Sequence, residues 1–291
     1  MSPMQVWLNG RVVPLEQAHI SPFDRGFLFG DGIYELVRFF DGVGMCMTAH
    51  MRRLERSLRL TRIEGFTAAD AERAMHAVMQ AEGLRDAAVY LQITRGAPPM
   101  RSHLPPTGLQ PTSFAYAVAC GDLDSLRAPG TIAVSVQPDQ RWQRCEIKSI
   151  SLMGAVLPML EAASQQAEEA VLVRDGVLSE GSSSNILIVK NGVLATPPID
   201  DDPSILHGTV REAALQAARD LGLQVQERRV HQDELRAADE VLVASSRRIL
   251  ASVTRIDDAP FGGGAPGPVA CRLLDRMRQD LRTQIAAAKA R

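Results

Sequence analysis

A chain of 291 residues, 45% of them hydrophobic, has the material for two domains, each with its own core. Its 32 basic and 34 acidic side chains leave a net charge of −2, which excludes the broad cationic face that nucleic acid or an anionic membrane would demand; small molecules are the expected partners. Cys46, Cys120, Cys145 and Cys271 lack metal-site or disulfide spacing, no apolar run nears the roughly 20 residues that span a bilayer, and Met1-Ser2-Pro3-Met4-Gln5 is no signal peptide, so the expected setting is the cytoplasm.

The predicted elements begin with a hairpin, Val6-Trp7-Leu8 and Arg11-Val12-Val13 around Asn9-Gly10, because both turn positions favour positive φ. Residues 33–40 predict a strand entered through Gly30-Asp31-Gly32 and reversed at Asp41-Gly42, with Met45-Cys46-Met47 returning. Helical spacing follows over 49–62 and 68–82, then strands over 88–94 and 113–119. Between those strands lies a proline-stiffened loop, Pro98-Pro99-Met100-Arg101-Ser102-His103-Leu104-Pro105-Pro106. The pattern breaks near Cys120, which sets a smaller N-terminal α/β domain over 1–122, a linker over 123–129 and a larger C-terminal α/β domain over 130–291.

In that second domain, 131–136, 171–173 and 186–189 predict strands, with turns at Asp175-Gly176 and Asn191-Gly192, and Val241-Leu242-Val243 leads into Ser245-Ser246. Helices are expected over 151–167, over 209–221 behind a capping box Thr209-Val210-Arg211-Glu212, and over 269–288. Pro158 is expected to kink the first of these or to mark its true start.

Only Lys148, Lys190 and Lys289 among the basic residues are lysines, and Lys148 lies in an apolar run, Ile147-Lys148-Ser149-Ile150-Ser151-Leu152-Met153-Gly154. Guanidinium cannot lose its proton, whereas a desolvated ε-amine becomes neutral and nucleophilic near neutral pH. The structural alternative is a lysine at a strand end whose stem covers apolar surface while its amine reaches water. Downstream stands Glu180-Gly181-Ser182-Ser183-Ser184-Asn185, a carboxylate leading a hydroxyl cluster, which taken alone is a polar turn. An imine-forming lysine, a carboxylate for a pyridine nitrogen and a helix start at Gly208, Thr209 and Val210 with amides for a phosphate are what a pyridoxal phosphate enzyme requires.

Gly30-Asp31-Gly32-Ile33-Tyr34-Glu35, Ile147-Lys148-Ser149 and Glu180-Gly181-Ser182-Ser183-Ser184-Asn185 together resemble the class IV (fold type IV) aminotransferases. Thr94-Arg95-Gly96, Arg141-Trp142 and Gly154-Ala155-Val156-Leu157 extend the likeness, and within the class the chain is most similar to the D-amino acid aminotransferases. The resemblance implies a two-domain α/β (α+β) fold with pyridoxal 5′-phosphate at the domain interface. It makes Lys148 the Schiff-base lysine and Glu180 the partner of the pyridine nitrogen, and adds Arg53, Leu206, Thr209, Val210, Ser245 and Ser246 to the cofactor-binding set. Arg101 and His103 match the Arg-x-His pair that binds the substrate α-carboxylate, with Tyr34 the matching phenol; in the family that loop serves the neighbouring subunit, which implies a homodimer.

The expected reaction is transamination between a D-amino acid such as D-alanine and a 2-oxo acid such as 2-oxoglutarate. The alternatives on the same scaffold are a branched-chain L-amino acid aminotransferase, an (R)-selective amine transaminase and an aminodeoxychorismate lyase. A non-catalytic pyridoxal phosphate-binding protein is an alternative of another class. Val210 departs from the threonine common in relatives, and Arg247-Arg248 is expected to bring positive charge near the cofactor's edge.

Overall fold

The computed structural model describes residues 4–199 and 205–290. Residues up to Ser125 form one compact unit together with Ile147–Leu152, and Leu126–Glu146 forms a second with the residues from Met153 onward.

In the first unit, β1 (Gln5–Leu8) and β2 (Arg11–Pro14) make the expected hairpin, with Asn9 and Gly10 at φ 48° and 93°. Next comes a five-residue helix, α1 (Arg25–Phe29), too short to show a period in the sequence and capped by the Asp24 carboxylate, which accepts from the Gly26 amide. Then follow β3 (Gly32–Phe40), β4 (Val43–Gly44), α2 (Met47–Thr61), α3 (Ala68–Ala81), β5 (Ala87–Thr94) and β6 (Thr112–Ala119). The return after β3 ends sooner than expected, because Cys46 adopts φ 56° and Met47 already begins α2.

These six strands form an antiparallel sheet in the order β2-β1-β6-β5-β3-β4. Strand alternation sends Ile33, Val37 and Phe39 of β3 and Val89, Leu91 and Ile93 of β5 into a core shared with Leu54, Leu58, Met75 and Val78 of the helices. The opposite face carries a row of phenols, Tyr34, Tyr90 and Tyr116, with ring centroids 5.6 and 5.3 Å apart.

The segment Ile147–Leu152 lies along the free side of β3. Ser149 bridges to Ile33, the Tyr34 amide donates to the Lys148 carbonyl (3.0 Å), and the Ile150 amide donates to the Gly32 carbonyl (3.1 Å). Alternation then sends Ile147 into the helix-side core and Lys148 to the face of Tyr34. The sequence reading gave Lys148 to the C-terminal domain; backbone pairing with β3 and burial of Ile147 instead tie it to the first unit.

The second unit runs β7 (Gly130–Pro138), α4 (Met153–Ser164), β8 (Glu169–Arg174), β9 (Val177–Gly181), β10 (Asn185–Lys190), β11 (Val193–Thr196), α5 (Thr209–Asp220), β12 (Gln224–Glu227), α6 (Gln232–Ala237), β13 (Glu240–Ser245), β14 (Ile249–Ile256), β15 (Ala259–Pro260) and α7 (Pro268–Lys289). Among the described residues nine strands form one mixed sheet, ordered β12-β11-β10-β13-β14-β7-β8-β9 with β15 on β14. The parallel neighbours β7/β8 and β11/β12 are joined through α4 and α5, the crossover that parallel pairing needs. On β13, Val241 and Val243 enter a core shared with Leu235 of α6, while Leu242 and Ala244 are buried on the face taken by α5 and α7. Burial on both faces explains why this strand is an unbroken apolar run.

Two helix starts differ from expectation. α4 begins at Met153, because Ile147–Leu152 is committed to β3, and it runs on through Pro158 to Ser164. The cap of α5 is Gly208 rather than Thr209, so the expected capping box does not form; the Glu212 amide donates to the Gly208 carbonyl (2.9 Å). The Asn185 side-chain amide fills the space where a Cβ on Gly208 would lie.

Candidate active site

In the first unit, Glu35 of β3 meets His50 and Arg53 of α2, while Lys148, on the segment along β3, stands over Tyr34. The Lys148 ammonium stands 4.3 Å from the Tyr34 ring centroid, and its amide donates to the Ser57 hydroxyl of α2 (3.3 Å). Lys148 is half-buried within this chain, while Lys190 and Lys289 are exposed. Glu35, fully buried, takes both Nε (2.9 Å) and Nη2 (2.7 Å) of Arg53 and faces Nδ1 of His50 at 2.6 Å. Burial alone would raise its carboxyl, but Arg53, and His50 after it, hold it at about 2. Burial pushes His50 below its ordinary range despite Glu35, whose carboxylate faces its Nδ1. The pair fixes the plane of the Arg53 guanidinium.

Arg101 and His103 form a second group in the same unit. The Arg101 guanidinium lies 4.7 Å from the centroid of the Phe29 ring, and the His103 ring lies 5.5 Å from it. Both side chains are exposed in this chain, on a loop without regular structure. A cavity of about 540 Å³ opens on the phenol side of the sheet, lined by Pro22, Phe27, Gln92, Thr94, Phe114 and Ile150 among others.

The second unit holds the remaining candidates. Glu180, near the end of β9, accepts from the Leu206 amide on both oxygens (3.1 Å each), from Asn185 Nδ2 (3.0 Å) and from Arg141 Nη1 (2.5 Å). Arg141 is itself held by Asp139, through Nε and Nη2 at 2.9 Å each. Burial would raise Asp139, yet Arg141 and the Ser179 hydroxyl hold it at about 2. Asn185 donates in turn to the Leu206 carbonyl (3.1 Å) and abuts Gly208, so Glu180, Leu206 and the start of α5 are one bonded assembly. Because Asn185 pairs with Ala244, Ser245 sits at the same end of the sheet; its hydroxyl accepts from the Arg248 amide at the turn toward β14 (3.3 Å). Thr209 and Val210 are buried first-turn residues of α5, and Ser246 follows on the turn. The Arg248 guanidinium is drawn to Glu168 (3.7 Å).

The family profile described as Amino-transferase class IV matches residues 32–256. A D-alanine aminotransferase of Bacillus licheniformis is 34% identical over 284 residues, 97% of this chain and 99% of that one. The chain belongs to the class IV aminotransferases. Among solved structures, the branched-chain amino acid aminotransferase of Escherichia coli superposes with a TM-score of 0.86 at 25% identity, over 98% of this chain and 95% of that one. A branched-chain enzyme from T.th., complexed with N-(5′-phosphopyridoxyl)-L-glutamate, also gives 0.86 at 25% identity, over 98% and 96%.

This class IV aminotransferase is therefore a pyridoxal phosphate-dependent enzyme, and its residues fit that cofactor. The first unit offers the amine of Lys148, and the second offers the Glu180 carboxylate, bound by Arg141, Asn185 and the Leu206 amide. Gly208 caps α5 without a side-chain bond, and a helix start of this kind suits an anion such as a phosphate. No helix among the described residues is long and apolar enough to cross a membrane.

Sequence reasoning missed the residues that hold these groups in place. Glu169, buried at the head of β8, binds the hydroxyls of Ser182, Ser183 (2.7 Å) and Ser184 (3.0 Å) and so shapes the turn after Glu180. Glu35, Asp139, Arg25 and Asp31 were missed likewise. The available signal was a carboxylate inside an apolar strand, as in Gly32–Phe40, since a buried charge must be paired.

Proposed function

We propose that this enzyme moves the amino group between a D-amino acid and a 2-oxo acid, with D-alanine and 2-oxoglutarate as the first pair to test. The observation that carries this reading is the presentation of Arg101 and His103 side by side on Phe29, a cationic fork and an imidazole suited to one carboxylate. The name of the Bacillus licheniformis relative supports it.

Bound pyridoxal phosphate supplies an aldehyde that condenses with amines and a ring that takes up electrons released at the substrate α-carbon. Lys148 would attach the cofactor and, once released from it, would carry the substrate α-proton on its Nζ. Glu180 would accept the N–H of the pyridine nitrogen and keep it protonated. The residues that would hold the phosphate are Arg53, Ser245, Ser246 and the amides of Thr209 and Val210, and those that would hold the substrate carboxylate are Tyr34, Arg101 and His103.

Arg101 and His103 are exposed within this chain, which suits a loop that serves a second copy. α4 adds a reason for a homodimer: Met153, Val156, Leu157 and Leu160 recur at helical spacing, and all are exposed, from 44% to 67%. A charge at Leu157 is expected to yield monomers in sedimentation.

The branched-chain structures favour a second reading, an L-amino acid donor. A panel of D- and L-amino acids with chiral product analysis decides between them, and faster turnover of L-leucine than of D-alanine overturns the first. Lys148→Ala is expected to abolish both turnover and borohydride trapping of the cofactor; a trapped adduct at another lysine removes its assignment.

A further inference from the structure

Arg25, the first residue of α1, is buried to 4% exposure, and its guanidinium reaches the loop after β5. Nη1 donates to the Ser102 carbonyl (2.5 Å), Nη2 to the His103 carbonyl (3.0 Å) and Nε to the Asp31 carboxylate (2.7 Å). We propose that Arg25 is the positioning residue of the loop carrying Arg101 and His103, and so sets how tightly the enzyme holds a substrate α-carboxylate. This rests on the carboxylate-binding reading of that loop.

Two nitrogens of one rigid plane on two successive carbonyls fix both the height and the rotation of the 101–103 backbone, which a single bond could not. Met100 to Leu104 are exposed, and the loop's four prolines have no amide to donate. Phe29, one turn further along α1, supplies the surface: the Arg25 guanidinium lies 4.7 Å from its ring centroid, as does that of Arg101, with His103 at 5.5 Å. Behind Arg25 the anchor is stiff. Asp31 is also gripped by Arg95, Nε at 2.8 Å and Nη2 at 2.9 Å, and Arg95 donates to the carbonyls of Thr61 (2.8 Å) and Arg62 (2.7 Å) at the end of α2. The carboxylate clamp is thus tied through three side chains to the helix that carries Arg53.

The test uses the cofactor-loaded enzyme and the fastest amino acid donor from the D/L panel. Arg25→Lys keeps the charge but loses the fork. It is expected to raise amide exchange across 98–106 with little change elsewhere, and to raise KM roughly 10-fold while kcat moves less than about threefold. Placed in an Arg101→Ala background, it should add almost nothing to KM, because it acts through the loop. Wild-type exchange and KM in Arg25→Lys, with a raised KM in Arg101→Ala, overturn the positioning role alone, as do additive effects in the double variant. An unchanged KM in Arg101→Ala overturns the carboxylate reading, and the inference with it. Should Arg25→Lys fail to fold, Phe29→Leu removes the ring surface and is judged by the same readouts.

Discussion

Glu35 and Glu180 are both buried carboxylates bound to an arginine, yet they are held in different ways. Glu35 gives both oxygens to one rigid partner on α2 and the remainder to His50, so its bonding serves to fix Arg53. Glu180 is spread over one arginine bond, a backbone amide and an asparagine amide, and its arginine is shared with Asp139. A carboxylate enclosed by a guanidinium is structural. One oriented from several sides, with its arginine partly neutralised elsewhere, is suited to hold a further cation such as a pyridinium.

The largest expected effect separates the two by kinetics. Glu180→Gln keeps the size of the side chain but cannot hold a protonated pyridine nitrogen, and kcat should fall roughly 10²- to 10³-fold at saturating cofactor. Stopped-flow measurement of the half-reaction with D-alanine, or the fastest donor found, reads this directly. A kcat within a few-fold of wild type would make Glu180 a structural residue like Glu35.

Glu35→Gln should act on stability instead, at about 3 kcal/mol, because it leaves Arg53 buried without its countercharge. It should also loosen cofactor retention while leaving kcat at saturating cofactor within a few-fold. The pH dependence has a definite sign. With its carboxyl held at about 2 rather than 4.5, folded Glu35 binds fewer protons than unfolded Glu35, so its contribution is complete above pH 4.5 and lost as pH falls through about 2. His50, held below its ordinary range, adds a loss of the same direction as pH falls below 6.5. Denaturant midpoints between pH 4.5 and about 2 should fall less steeply with acid in Glu35→Gln than in wild type; parallel curves there would remove the ion pair from the account.

The same contrast explains what the sequence made legible. Strands and helices with a clear period were readable because alternation and helical spacing are local, and the turns Asn9-Gly10, Asp175-Gly176 and Asn191-Gly192 were readable because their positive φ values select those residues. The candidate residues came from motifs of neighbouring positions. What holds them is non-local: Arg25 meets carbonyls 77 and 78 positions away, and Glu169 meets serines 13 to 15 positions on. No periodicity encodes such pairings. The placement of Lys148 was missed for a related reason, since a single extended segment between two elements gives no sign of which sheet it will join.

The smallest expected effect tests the Glu180 assembly from its far side. Gly208 has φ −68°, which any residue adopts, so its value lies in space rather than in backbone freedom. A Cβ there would collide with the Asn185 amide, which must then give up its bond to Glu180, its bond to the Leu206 carbonyl, or both. Gly208→Ala should therefore cost about 1 to 3 kcal/mol of stability through overpacking and weaken cofactor binding through the displaced start of α5. Adding Asn185→Ala to Gly208→Ala relieves the collision but not the lost bonds, so thermal stability should recover in part while cofactor affinity stays low. If Asn185→Ala restores both, the start of α5 holds its position without help from Glu180, and the two halves of that assembly act independently.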